Sequence, residues 1–311
     1  MEAILEKIKE QIADNLYPGA SLSIFDQGVW QEFYFGESED GRATEPGLVY
    51  DLASVSKVVG VATLLIFLIQ AGKLELDRAL KSYYPQVEDS SLTIRQLLTH
   101  TSGIDPFIPN RDDLDETALK QAIHEIKVTD DKGFHYTDIN FILLGFLLEK
   151  LLGQPLDQPL DVLFDERIFQ KWGMAKTSFG PRLEAVPTVK GITTGQVHDP
   201  KAKVLGVHCG SAGLFSTIED LKQFCQHYLE DDFASNLWQN YGSPDKPRSL
   251  GWNLDGDWID HTGYTGPFVM VNRRAHQAVI FLTNRTYNYD DRPLWIAKRR
   301  ELRDVIKESL R

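Results

Sequence analysis

Cysteine is scarce in this chain: Cys209 and Cys225 are the only two among 311 residues, so no disulfide framework is implied. Basic residues are outnumbered, 33 Lys and Arg against 45 Asp and Glu, which leaves a net charge of −12. That balance disfavours nucleic acid or an anionic membrane as a partner, and no basic run interleaved with aromatics overturns it. The opening stretch MEAILEKIKEQIADNLYPGA lacks a basic segment followed by an apolar core and a small-residue cleavage site. A cytoplasmic protein is therefore expected. Apolar runs are short as well. The uncharged stretch between Lys57 and Lys73 covers fifteen residues, whereas a bilayer span needs about 20, so it reads as a buried core helix. Missing too are an internal repeat, a low-complexity linker, the H-E-x-x-H zinc spacing and the G-x-S-x-G elbow of α/β-hydrolases. His100, His198 and His208 thus form no ligand pattern, and Cys209 reads as a small buried residue.

What is present is an ordinary globular composition, 42% apolar and 25% charged. Ile4, Ile8, Ile12 and Leu16 mark one face of a first helix that stops before Pro18. "ASLSIF" and "VWQEFYF" flank Asp26-Gln27-Gly28 and predict a β-hairpin. Helical spacing then runs over 58–72, 93–100, 115–126 and 139–152. Strands return at "SLGWNL" and "DWIDHTG", joined by Asp255-Gly256, and continue through "PFVMVN" and "AVIFLTN". A last helix carries Trp295, Leu302, Val305, Ile306 and Leu310. Hairpins at both ends can share one antiparallel sheet with the terminal helices on one face. The expected organisation is a sheet domain from residues 1–53 and 190–311, interrupted by a helical domain from 54–189.

Ser54 and Lys57 stand i, i+3 at the mouth of the apolar run, where a helix sets their side chains on one face. A charge at the start of a buried helix is costly without a partner or a task. A serine hydroxyl is a weak nucleophile until a base takes its proton, and a lysine whose pKa is lowered by burial can be that base. The helix start adds backbone donors where an oxyanion can form. The same spacing recurs at Ser243–Lys246, in a proline-rich loop with no helix to align it.

Companions follow in "FHYTDINFILLG", which presents Tyr136, Asp138 and Asn140 before an apolar helix. "DHTGYTG" puts His261, Thr262 and Gly263 at a strand end, with Gly263 and Gly266 permitting close backbone approach. With these segments the chain resembles the serine hydrolases of the β-lactamase and penicillin-binding-protein superfamily. It is most like the class C-like branch, which includes esterases and D-amino-acid peptidases. The likeness runs through nearly the whole chain, in the family's order: "PGASLSIF", "LASVSK", "GKLELD", "TIRQLLTHTSGI", "YTDINFILLG", "GSAGLFS", "SLGWNL" and "HTGYTG".

The resemblance implies an α+β fold, an antiparallel β-sheet flanked by helices with an inserted all-helical domain, and a cleft between the two layers. It implies Ser54 as the acylated nucleophile, Lys57 as its base and Tyr136 as a proton shuttle. The N–H groups of Ser54 and Tyr264 would make the oxyanion hole. The implied activity is hydrolysis of a small-molecule ester, amide or peptide-like substrate with no metal or organic cofactor.

Two departures bear on substrate choice. Tyr136-Thr137-Asp138 stands where β-lactamases carry Tyr-x-Asn, and His261-Thr262-Gly263 where they carry Lys-Thr-Gly. A carboxylate only accepts hydrogen bonds, and histidine is mostly neutral at pH 7. Both changes predict weak turnover of β-lactams. Asp138 either caps the helix from Ile139, contacts substrate, or holds Lys57 charged. Rival readings are a non-catalytic binder of peptidoglycan-like fragments and a D-amino-acid peptidase whose substrate ammonium meets Asp138. Residues 105–116 and 196–210 are expected to line the cleft without a readable code, while Trp252, Trp258 and Asn140 are expected to be structural.

Overall fold

The computed structural model describes residues 1–153, 158–192 and 195–311. Helix α1 (Glu2–Ala13) leads into the hairpin of β1 (Gly19–Asp26) and β2 (Val29–Glu39). Gln27 and Gly28 make the turn with φ of 51° and 80°, the left-handed pair a tight hairpin requires. Short strands β3 (Arg42–Ala43) and β4 (Tyr50–Asp51) precede a 3₁₀ turn, Ala53–Val55, and a π-helical segment, Lys57–Ala62, which continues as α2 (Thr63–Gln70).

The middle of the chain is built on α3 (Ile94–Thr99), α4 (Glu116–His124), α5 (Ile139–Leu152), α6 (Leu160–Phe164) and α7 (Gln170–Trp172). Thr93 and Gln96 close a capping box at α3, and Asp115 caps α4 through the Ala118 N–H. One two-residue strand, β5 (Ser178–Phe179), also falls in this middle part. Then come α8 (Pro200–Leu205), β6 (Leu214–Ser216) and α9 (Ile218–Glu230). The chain closes with β7 (Asn253–Asp255), β8 (Trp258–Thr262), β9 (Phe268–Asn272), β10 (Gln277–Thr283) and α10 (Arg292–Ser309).

Among the described residues the main sheet has seven strands in the order β3-β2-β1-β10-β9-β8-β7, every neighbouring pair antiparallel. Strand β1 pairs with β10 from Ala20↔Thr283 to Phe25↔Ala278, so the two ends of the chain meet in the sheet as expected. Helices α1 and α10 cover one face, burying Ile4, Ile8, Trp295, Leu302 and Ile306 against Leu22, Ile24 and Phe281. Each such aliphatic side chain contributes about 2 kcal/mol on burial. The opposite face packs on α9 and on the large core that holds α2 and α5.

Residues 53–70 have a mean hydropathy of 1.9 over an 18-residue window, 78% of which is buried inside the protein, as a core helix should be. A small second sheet, β4-β6-β5, joins the strand before Ser54 to the helical layer. "SLGWNL" yields only the three-residue β7. Gly251 at φ 85° turns its backbone so close to the π-helical segment that a Cβ there would lie 2.7 Å from the Ala62 side chain. Trp252 and Trp258 are buried in the core.

Candidate active site

Ser54 sits on the 3₁₀ turn between β4 and the π-helical segment. Lys57 opens the π-helical segment that follows, and the two short elements together bring its Nζ within 2.8 Å of Ser54 Oγ. The turn is forced: Ala53 has φ 44°, a left-handed value for a residue with a Cβ, of the kind that costs about 1–3 kcal/mol. The Asp51 carboxylate holds it there by accepting the Ala53 N–H at 2.7 Å, and it accepts the His198 N–H at 2.8 Å. Burial pushes Asp51 up to about 6, and those two N–H donors only partly offset the rise.

The turn after β8 is pressed against this one. A Cβ on Gly263 would lie 2.6 Å from the Leu52 carbonyl oxygen, and the Thr265 hydroxyl donates to the Asp51 carbonyl at 3.0 Å. Tyr264 is thereby brought to the same cleft as Ser54. The N–H groups of Ser54 and Tyr264 have no acceptor among the described residues, so both are free to serve an incoming oxyanion.

Lys57 is fully buried and donates three hydrogen bonds, to Ser54 Oγ at 2.8 Å, Asp138 Oδ1 at 2.8 Å and the Ser211 carbonyl at 2.9 Å. Burial lowers its pKa, but the Asp138 carboxylate and then Tyr136 outweigh burial and hold it above the ordinary lysine range. The direction is opposite to the lowering expected from burial alone and is the one expected if Asp138 holds Lys57 charged. Asp138 occupies the N-cap position of α5 without making a capping hydrogen bond. It takes Lys57 on one oxygen and the Lys201 ammonium on the other, at 3.0 Å. Burial alone would raise Asp138, yet the two cations bring it well below the usual carboxylate range.

Ser54, Tyr136, Asp138 and Tyr264 line one cleft of about 510 Å³. Tyr136 is 43% exposed, its ring 4.3 Å from that of His100 and its centroid 5.3 Å from Lys57 Nζ. His261, Thr262 and Gly263, expected to meet substrate, do not line it. His261 is 2% exposed, and burial, followed by the Lys57 and Arg248 charges, pushes its ring well below the ordinary histidine range. Its Nδ1 has no hydrogen-bond partner among the described residues. Asn140 is structural as expected, bonded to Ser102 Oγ and His100 Nδ1.

The cleft gains residues that no motif marks. The segment 105–116 supplies Pro106, Ile108 and Arg111; the segment 196–210 supplies His198, Asp199, Pro200 and Lys201. Arg292, at the start of α10, completes the wall and lies 5.9 Å from the Tyr264 ring. His198 stacks on Tyr264 at 5.5 Å. The second Ser-x-x-Lys match, Ser243–Lys246, forms an isolated bridge in a loop and takes no part.

A family model described as Beta-lactamase matches residues 4–303. The chain belongs to the beta-lactamase family. It is 27% identical over 358 residues to an Escherichia coli O157:H7 protein named as a D-alanyl-D-alanine carboxypeptidase, covering 90% of this chain and 81% of that one. In fold it is similar to a class C beta-lactamase, with a TM-score of 0.77 and 18% identity, covering 100% of this chain and 96% of the other. It is also similar to EstCE1, a hydrolase with promiscuous acyltransferase activity, with a TM-score of 0.76 and 17% identity over 98% and 97% of the two chains. As a member of the beta-lactamase family the chain is a serine hydrolase. Its cleft carries its cations on the walls, at Arg111, Lys201 and Arg292, while the β8 position holds a buried neutral histidine.

Proposed function

We propose that this protein hydrolyses small esters and amides through a covalent acyl-enzyme on Ser54. The carrying observation is the Ser54 hydroxyl on the cleft wall, 2.8 Å from Lys57 Nζ. Once the Lys57 ammonium has given up a proton to solvent, its amine takes the Ser54 proton as Oγ bonds to the acyl carbon, and Tyr136 relays a proton from Lys57 to the leaving alkoxide or amine. The N–H groups of Ser54 and Tyr264 receive the oxyanion. Water then attacks the acyl-enzyme along the same path, freeing the acid and restoring the Ser54 hydroxyl.

Occupancy of Asp138 weighs against a D-amino-acid peptidase that would seat its substrate's ammonium there, because both carboxylate oxygens already hold lysines. The burial of His261 supports esters over β-lactams as acyl donors, since no charge on β8 faces the cleft.

Labelling with a fluorophosphonate probe tests the reading. Wild type is expected to label and to cleave nitrophenyl esters faster than nitrocefin or D-alanyl amides, while Ser54→Ala stays unlabelled. Equal labelling of the two proteins would reject it.

A further inference from the structure

Asp138 is shared between two lysines, and only one of them touches the nucleophile. Lys201 is the second residue of α8, a helix whose start is fixed by Pro200 and by the Asp199 side chain accepting the Ala202 N–H at 2.9 Å. The Lys201 side chain is 11% exposed, with its ammonium 3.0 Å from Asp138 Oδ2 and 3.7 Å from Asp199 Oδ2. A capped helix thus aims a cation at the far oxygen of the carboxylate that holds Lys57.

We propose that Lys201 is a positioning residue that acts through Asp138 to make the Lys57 proton removable. The inference rests on the acyl-enzyme reading above. Lys57 can accept the Ser54 proton only after losing one of its own to solvent. A lone carboxylate at 2.8 Å would oppose that loss; a second cation 3.0 Å from its other oxygen repels the first and offsets part of that pull. The other groups around Lys57 leave this balance in place. His100, from the end of α3, and His261, from β8, are kept neutral by burial beside Arg248. Asp199 is engaged in capping, and Tyr136, which like Asp138 favours the charged lysine, is the same in wild type and in the Lys201 variants.

The experiment is a pH–rate profile of nitrophenyl ester hydrolysis for wild type, Lys201→Met and Lys201→Arg, with folding checked by circular dichroism. Lys201→Met is expected to shift the limb that reports Lys57 deprotonation upward by about one pH unit. That is an approximately tenfold loss of kcat at neutral pH, recovered at higher pH, with KM for a neutral ester unchanged. Lys201→Arg should stay within about twofold of wild type. If Met disturbs α8, Lys201→Gln makes the same charge change with a polar side chain.

An unmoved profile, or an effect confined to KM for anionic esters, overturns the inference and makes Lys201 a substrate contact. An equal loss at every pH overturns it in favour of a purely structural role. Absence of Ser54-dependent labelling in wild type would instead remove the acyl-enzyme reading beneath it.

Discussion

Lys57 and Ser54 lie 2.8 Å apart, yet the remaining two N–H groups of the lysine go to Asp138 and to the Ser211 carbonyl. Three donors meet three acceptors, which is the full complement of an ammonium. The site therefore rests with its nucleophile hydrogen-bonded to a charged lysine, and activation requires a proton to move.

Replacing the anion should expose what burial does by itself. In Asp138→Asn the largest attraction that holds Lys57 above its ordinary range is gone, and burial then acts against Tyr136 alone and lowers it. The limb of the pH–rate profile assigned to Lys57 should move toward acid by at least one unit or so. A limb that stays in place would show that Asp138 does not control the lysine.

Position 261 is where the family pattern carries a lysine. His261 is fully enclosed and lies within the field of Lys57, Arg248 and Arg299. His261→Lys adds a fourth charge of the same sign to a buried cluster, at a cost of about 3 kcal/mol or more. Urea unfolding should show that loss with no gain in nitrocefin turnover. Wild-type stability in the variant would contradict the burial.

Arg292 is solvent-exposed on the cleft wall. Arg292→Ala should raise KM several-fold for an ester carrying a carboxylate and leave a neutral ester of the same size unchanged, since one exposed charge pair is worth about 1 kcal/mol. Equal changes for both esters would assign Arg292 to the scaffold.

Asp51 gives the fold its own pH signature. Its pKa is raised to about 6 in the native state, so its contribution to stability is complete below about pH 4 and is lost as pH rises through 6. A two-unit shift is worth about 3 kcal/mol. Asp51→Asn loses one of the two accepted N–H bonds at every pH, but its stability relative to wild type should rise by about that much between pH 4 and pH 7 in urea titrations. A difference independent of pH would refute the shift.

The hairpin at Gln27-Gly28 and the pairing of terminal strands were legible because turn residues and alternation are local signals, as was the β7–β8 hairpin, whose turn falls one residue later than Asp255-Gly256, at Gly256-Asp257. The Ser54–Lys57 contact was legible for the same reason, being a spacing of three along one segment. The sheet β4-β6-β5 was not, since strands of two or three residues are too short to carry a period. Nor was the π-helical start of the core helix, which shares its apolar pattern with an α-helix.

Lys201 and Arg292 reach the cleft from segments far along the chain, and only the tertiary fold puts them beside Asp138 and Tyr264. The burial of His261 was hidden by the polar look of "DWIDHTG". Asp260 in that strand is fully enclosed and paired with Arg303 of α10, so alternation does not separate solvent from interior there.

The pairing of β1 with β10 joins residues near 20 to residues near 283. Loops of that size close slowly, so the sheet completes only after the intervening layer has been made. Tyr264 stands on the turn before β9, the sheet neighbour of this closing strand, and Ser54 well before it, so recovery of esterase turnover during refolding should lag behind recovery of helical signal. Turnover would then serve as a clock for the final docking event.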